Sequence, residues 1–123
     1  MKYLLIFIII LISNFCFSQI TEIKKDGSYL RIYNDRGNYT GTSIYVGTSY
    51  KLDGYNNQII VISDRNYANI YNSKGNYTGI SIYLGSSKKV KRVSESNILI
   101  QDGHYTRYYN FQGNYTGNST YDN

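Results

Sequence analysis

The sequence predicts an all-β protein of about eleven short antiparallel strands in three 38-residue repeats. The string Y-N-x-x-G-N-Y-T-G begins at Tyr33, Tyr71 and Tyr109, a constant spacing of 38 residues. Short runs of branched and aromatic residues alternate with turn residues, and no helical periodicity follows residue 18. A fixed period of this kind indicates a repeat architecture.

Residues 1–18 have the pattern of a secretory signal peptide. Lys2 precedes the apolar run YLLIFIIILI, and the letters CFS come just before Gln19. The run is too short for a permanent membrane helix. We therefore expect cleavage near Ser18 and export to the periplasm or the cell exterior. Residues 19–123 would then form a single β-repeat domain without an integral membrane segment and without Cys16, the only cysteine.

The charge of the chain is modest. Removing Lys2 with the signal lowers the formal net charge from +5 to +4, and most of it is thinly spread, so no nucleic-acid partner is expected. The run KKVKR at Lys88–Arg92 is the exception. It is typical of a lysine-protected strand edge, and contact with an anionic surface polymer is the alternative.

Each repeat contains the same strand signals, with bounds of about 22–59, 60–97 and 98–123. The runs YLRIY and YANIY alternate with period two, and YTGTSIYV and YTGISIYL are rich in strand formers. The runs QIIVIS and NILIQ predict buried strands, and YKL and KKVKRV predict a fourth strand.

The fixed letters of the motif predict a four-residue turn followed by a bulge glycine. The asparagine side chain accepts a hydrogen bond from the backbone two residues later, and the glycine adopts a left-handed conformation. The variable middle pair would lie at the loop tip, where packing restricts it least. The residues assigned to this turn are Asn34, Gly37, Asn72, Gly75, Asn110 and Gly113.

The turn also predicts a register, in which Tyr33 faces Tyr39, Arg31 faces Gly41 and Tyr29 faces Ser43. One face of each hairpin then carries tyrosines, and the other carries aliphatic residues that suit a core. In the third copy this second face becomes polar, which favours an open meander with a polar C-terminal cap. Three repeats of about four strands also suit a closed or nearly closed trefoil- or propeller-like shape, which we favour.

The strings RIYNDRGNYTG and NIYNSKGNYTG resemble the hairpins of small exported bacterial β-repeat proteins, the β-flowers. They are also similar to the YD repeats of Rhs-type secreted shells. The signal ending in FSQ resembles those of Bacteroidota. The likeness covers about a third of residues 19–123, and both families use repeats of about half this length. The resemblance implies an exported β-repeat protein and brings no activity with it.

Catalytic and metal-binding patterns are missing from the sequence. His104 is the single histidine, and its counterparts Ser28 and Asn66 indicate that the repeat requires only a turn residue there. Neither zinc-ligand spacing nor a calcium-type carboxylate cluster is present. Asp26, Asp64 and Asp102 recur as turn starters. We therefore predict a non-catalytic protein with no cofactor and no metal.

The tyrosine face is the candidate functional surface. Flat rings beside an unobstructed glycine and hydrogen-bonding groups suit a sugar, and three copies would gain by avidity on a cell-surface glycan or another envelope polymer. In the alternative, these tyrosines pack across strands in a structural or self-assembling protein. The candidate residues are Tyr29, Arg31, Tyr33, Tyr39, Gly41, Tyr67, Tyr71, Tyr77, Gly79, Tyr105, Arg107, Tyr109 and Tyr115.

Overall fold

The computed structural model describes residues 20–123, which form eleven β-strands and no helix. The strands are β1 (Glu22–Asp26), β2 (Tyr29–Tyr33), β3 (Tyr39–Tyr45), β4 (Lys51–Tyr55), β5 (Ile59–Ser63), β6 (Tyr67–Asn72), β7 (Tyr77–Tyr83), β8 (Lys88–Val93), β9 (Ile98–Asp102), β10 (Tyr105–Tyr109) and β11 (Tyr115–Tyr121). They pair antiparallel in three meanders: sheet 1 (β1 to β3), sheet 2 (β4 to β7) and sheet 3 (β8 to β11). The all-β class and the number of strands are confirmed. The predicted signal peptide lies outside the described residues.

The repeated turn connects the last two strands of every sheet, with the predicted geometry. In the first copy the Asn34 side-chain oxygen accepts hydrogen bonds from the backbone N–H groups of Arg36, at 2.9 Å, and Asn38, at 3.0 Å. Gly37 has φ +76° and donates its N–H to the Asn34 carbonyl at 3.1 Å. Asn72 with Gly75 and Asn110 with Gly113 repeat these contacts. The asparagine and glycine letters are thus explained by the backbone of the turn.

Beyond the turn the predicted register is wrong, because a bulge adds two residues to the second strand of each hairpin. Tyr33 pairs with Tyr39 as expected, but Arg31 pairs with Ser43 and Tyr29 pairs with Tyr45. Hairpins β6–β7 and β10–β11 shift in the same way. Two added residues leave the alternation of faces unchanged, since side chains alternate with period two. The predicted aliphatic and tyrosine faces therefore survive the error.

The core consists of two apolar layers, one on each side of β5. The layer between sheets 1 and 2 contains Ile20, Ile23, Leu30, Ile32, Ile44, Val46, Ile60 and Ile62. The layer between sheets 2 and 3 contains Ile59, Val61, Ala68, Ile70, Ile82, Leu84, Ile98 and Ile100. The four consecutive apolar residues of β5 are at most 6% exposed. Such a continuous apolar run is typical of a strand that is covered on both faces.

Each later turn packs on the hairpin of the preceding repeat. A β-carbon added to Gly75 would lie 2.6 Å from the Thr42 methyl, and one added to Gly113 would lie 2.8 Å from the Ile80 Cγ2 methyl. Nothing lies within 4 Å of the same point at Gly37. Phe111, which we predicted at a weakly restrained loop tip, instead packs against the second apolar layer. Turn tips in the second and third copies therefore contribute to packing between repeats.

Polar residues occupy the outer faces of sheets 1 and 3. Glu22 and Lys24 stand where the second repeat has Ile60 and Ile62, and both are exposed. Thr106 replaces Ala68 of the second repeat. The Thr106 replacement agrees with the polar C-terminal cap that the sequence predicts, whereas the polar face of the first sheet was not predicted.

A small hydrogen-bond network satisfies the polar groups on the outer face of sheet 3. Thr106 is 2% exposed and donates its hydroxyl to Asp122 at 2.5 Å, while the Lys91 ammonium donates to the Thr106 oxygen at 3.1 Å. The Thr106 bond, together with Lys91, lowers the pKa of the Asp122 carboxyl. The outer face of sheet 3 is therefore covered by hydrogen-bonded polar groups, and no apolar layer of residues 20–123 lies on it.

The sheets are open, and β8, which carries the KKVKR run, is an edge strand as predicted. Sheet 1 packs on sheet 2 and sheet 2 packs on sheet 3 through the two apolar layers. Residues 20–123 contain no closed sheet, so the closed or nearly closed shape that we favoured is not confirmed. The molecule described by these residues is a stack of three meanders.

Candidate functional site

Six cross-strand tyrosine pairs lie on the hairpins, two in each repeat. We name the pairs next to the turn the turn pairs and those at the opposite end of the hairpin the distal pairs. The turn pairs have ring centres 5.5–5.9 Å apart: Tyr33–Tyr39, Tyr71–Tyr77 and Tyr109–Tyr115. The distal pairs have ring centres 5.3–5.4 Å apart: Tyr29–Tyr45, Tyr67–Tyr83 and Tyr105–Tyr121. The same tyrosines can thus pack on each other across strands and also face the solvent.

Most of these rings are accessible, and their exposure hardly changes from repeat to repeat. The first distal tyrosine (Tyr29, Tyr67 and Tyr105) is 44–47% exposed, and its partner (Tyr45, Tyr83 and Tyr121) is 60–66% exposed. The second turn tyrosine (Tyr39, Tyr77 and Tyr115) is 40–49% exposed. Tyr33, Tyr71 and Tyr109 are half-buried. Stacking of the repeats therefore leaves three equivalent aromatic surfaces open.

An ion pair lies between the two tyrosine pairs of the first repeat. Arg31 Nε is 2.9 Å from Asp26 Oδ2, and its guanidinium carbon is 5.4 Å from the Tyr39 ring centre. The third repeat copies this arrangement, since Arg107 Nε is 3.2 Å from Asp102 Oδ2. Cations over aromatic faces contribute about 0.5–1 kcal/mol at exposed sites. The arginines therefore help to fix the rings while keeping N–H groups available.

The second repeat has a hydrogen-bonded chain without an arginine in the same position. Ser81 donates to the Asn69 oxygen at 2.6 Å, Asn69 donates to Asp64 at 3.4 Å, and the Tyr77 hydroxyl shares a 2.5 Å bond with Ser81. Partial burial acts to raise the pKa of Asp64, but hydrogen bonds from backbone N–H groups lower it overall. Carboxylate, amide and hydroxyl groups thus lie together beside exposed rings.

The glycine that the sequence places beside the rings is required by the bulge. Gly41 has φ +87°, and its counterparts Gly79 and Gly117 have φ +86° and +92°. The Thr40 hydroxyl donates to the Ile32 carbonyl at 2.9 Å, and Thr78 and Thr116 donate in the same way to the carbonyls of Ile70 and Tyr108. Nothing lies within 4 Å of a β-carbon position at the three glycines, so the surface beside the rings is open.

Sequence reasoning missed a cleft between the first repeat and the second. Thr48, Ser49 and Tyr50, from the loop after β3, line it together with Asp64 and Arg65, and its volume is about 620 Å³. An equivalent cleft of about 320 Å³ follows β7 and is lined by Ser86, Ser87, Lys88, Lys89, Gln101 and Gly103. The repeat gave no signal for Tyr50, because Lys88 replaces it 38 residues later.

Tyr50 connects this cleft to the tyrosine face of the second repeat. Burial raises the pKa of the Tyr71 hydroxyl, and Tyr50 and Tyr77 are close enough to raise it further. Tyr50 is itself 41% exposed. Tyr50 therefore lies near both the cleft and the turn pair Tyr71–Tyr77.

Residues 20–123 also lack two features typical of metalloenzymes and of helical membrane proteins. That part of the chain contains no group of three or more histidine, cysteine or acidic residues able to hold a metal ion. It contains no helix long and apolar enough to cross a membrane. His104 is exposed, and its ring centre lies 5.7 Å from that of Tyr121.

No family model, curated protein or solved structure matches the chain. The resemblance to β-flower and YD-repeat proteins therefore stays a prediction.

Proposed function

We propose that the protein is an exported, non-catalytic module that binds a glycan of the cell surface or envelope through its three tyrosine faces. One observation carries this proposal: three aromatic surfaces keep nearly the same exposure in all three repeats, and polar groups lie beside the rings in each of them. A purely structural role in strand pairing would not require the outer rings to stay 60–66% exposed. The predicted signal peptide would place that partner outside the cytoplasm.

The chemistry of each face suits a sugar ring. Tyrosine offers an apolar ring face and a hydroxyl tip, so it can stack on the C–H side of a sugar and hydrogen-bond at its rim. Asp26 and Arg31 in the first repeat, and Asn69 and Ser81 in the second, add acceptors and donors beside the rings. Three weak sites on one rigid stack would bind a polymer more tightly than a monosaccharide.

A binding screen of residues 19–123 against glycans and peptidoglycan fragments tests the proposal. Tyr39→Ala, Tyr77→Ala and Tyr115→Ala are the informative variants, because these rings are exposed, whereas Tyr71 packs against the first apolar layer. We expect polymer affinity to fall stepwise from single to triple variant, while Glu95→Ala, on another turn, leaves it unchanged. A folded wild-type protein that binds no glycan, or binding that ignores all three variants, would refute the proposal.

Self-association through the same surfaces is the competing function, since exposed aromatic clusters also mark protein contacts. The polar end faces argue against assembly by end-to-end stacking. Light scattering over a wide concentration range separates the two cases. A constant monomer mass supports the binding module, and a mass that rises with concentration supports assembly.

A further inference from the structure

The tyrosine pairs carry a second property, because every one of them joins two oxidisable phenols across neighbouring strands. All six pairs have ring centres within 5.3–5.9 Å. Phenylalanine would give the same cross-strand packing without a hydroxyl group. Yet the whole chain has sixteen tyrosines and four phenylalanines, and only Phe111 of the latter lies beyond residue 18. The repeat therefore places phenols next to phenols six times.

We propose that the distal pairs are sites of intramolecular dityrosine cross-linking by a one-electron oxidant, such as a haem peroxidase with hydrogen peroxide. Each phenol loses one electron and its hydroxyl proton, which gives two neutral phenoxyl radicals. These radicals couple through the ring carbons next to the hydroxyl-bearing carbons, forming one carbon–carbon bond. Each coupled carbon then loses its hydrogen as a proton, and the phenol hydroxyls are restored. One link thus removes two hydrogen atoms, and one peroxide is reduced to two waters.

The distal pairs are better placed for this reaction than the turn pairs. Their rings meet edge to face, at 62–71°, and both members are at least 44% exposed, so they can rotate into contact. One ring of each turn pair is half-buried. In addition, hydrogen bonds to Ser43 and Ser81 hold the hydroxyls of Tyr39 and Tyr77. Radicals formed on the distal rings therefore meet their cross-strand partner first.

Such links would connect the two strands of each hairpin at the end opposite its turn. Tyr29 and Tyr45 are directly paired in the register of β2 and β3, and the other repeats match. Residues 20–123 contain no cysteine, so a disulfide cannot supply this connection. A covalent link that closes a hairpin restricts the unfolded chain and should raise the melting temperature, as a disulfide does.

The test oxidises residues 19–123 at low micromolar concentration with a haem peroxidase and hydrogen peroxide. We expect dityrosine fluorescence, a chain that still runs as a monomer in a denaturing gel, and an intact mass lower by two hydrogens per link. Peptide mapping should locate the links at the distal pairs. Links mainly between chains, links mapped to other tyrosines, or no links at all would overturn the proposal.

Two matched triple variants separate pairing from simple exposure. Tyr29→Phe, Tyr67→Phe and Tyr105→Phe together remove one phenol from every distal pair but keep the ring, and should abolish the mass loss within the monomer. Tyr33→Phe, Tyr71→Phe and Tyr109→Phe change the turn pairs and should preserve it. If intramolecular cross-linking falls equally in both triple variants, the preference for the distal pairs is overturned. Peptide mapping of the wild type decides the matter if a variant fails to fold.

Discussion

Replacing the three turn glycines one at a time should reveal how strongly neighbouring repeats pack on each other. Gly37, Gly75 and Gly113 have φ of +76°, +80° and +81°, so alanine strains the backbone equally at all three. A left-handed conformation costs a residue with a side chain about 1–2 kcal/mol. Gly37 has open space around it, and therefore Gly37→Ala should cost only this amount.

The other two glycines add a steric cost. The new methyl group of Gly75→Ala would lie 2.6 Å from Thr42 Cγ2, and that of Gly113→Ala 2.8 Å from Ile80 Cγ2. Both neighbours are β-branched and rotate poorly. Overpacking typically costs about 1–3 kcal/mol, so each variant should lose about 2–5 kcal/mol of unfolding free energy in total.

Urea unfolding followed by far-ultraviolet circular dichroism measures these losses from the midpoint at constant slope. Thr42→Ser removes the clashing methyl group, so adding it to Gly75→Ala should recover part of the loss, whereas it should not help Gly37→Ala. Equal losses at the three glycines, or no recovery with Thr42→Ser, would refute the packing of each turn on the preceding hairpin.

Three further substitutions test individual polar side chains. Thr78→Val should cost about 1–3 kcal/mol in urea unfolding, since the Ile70 carbonyl loses its 2.6 Å bond, and an unchanged midpoint would contradict this role. Asn56→Ala should cost a similar amount, because the 2.8 Å bond from its side chain to the Ser94 carbonyl joins sheets 2 and 3. Burial raises the pKa of the Asp53 carboxyl above its ordinary value of 3.8. The folded state therefore holds this proton more tightly than the unfolded chain does, and it loses stability as the pH rises from 3.8 through the raised pKa. Asp53→Asn should therefore melt higher than the wild type at neutral pH, with the gain vanishing below pH 3.8, and a gain independent of pH would argue against this cause.

The strands, the turn and the two hairpin faces could be predicted because each depends on neighbouring letters. Asn34 and Gly37 shape the turn through contacts within four residues, and alternation along β2 is visible in YLRIY. The bulge at Gly41 escaped prediction, since adding two residues leaves the alternation intact and so leaves no trace in the pattern.

The contacts between repeats could not be predicted, because they join residues that are far apart in the sequence. The identity of each of these residues is already explained by a local role. Gly75 is already required by its turn, so its contact with Thr42 adds no further sequence signal. The cleft at Tyr50 depends on how one repeat lies on the next, which the period of 38 residues does not specify. The exposure of the tyrosine face likewise follows from that arrangement.

A few polar residues on the two end faces determine how many sheets the stack contains. Sheet 2 is apolar on both sides, and it differs from the first repeat at Glu22 and Lys24 and from the last at Thr106. Because an internal repeat is complementary to a copy of itself, duplicating one 38-residue unit would lengthen the protein by one sheet and one tyrosine face. The number of tyrosine faces could therefore change by gene duplication alone, without any redesign of the surface.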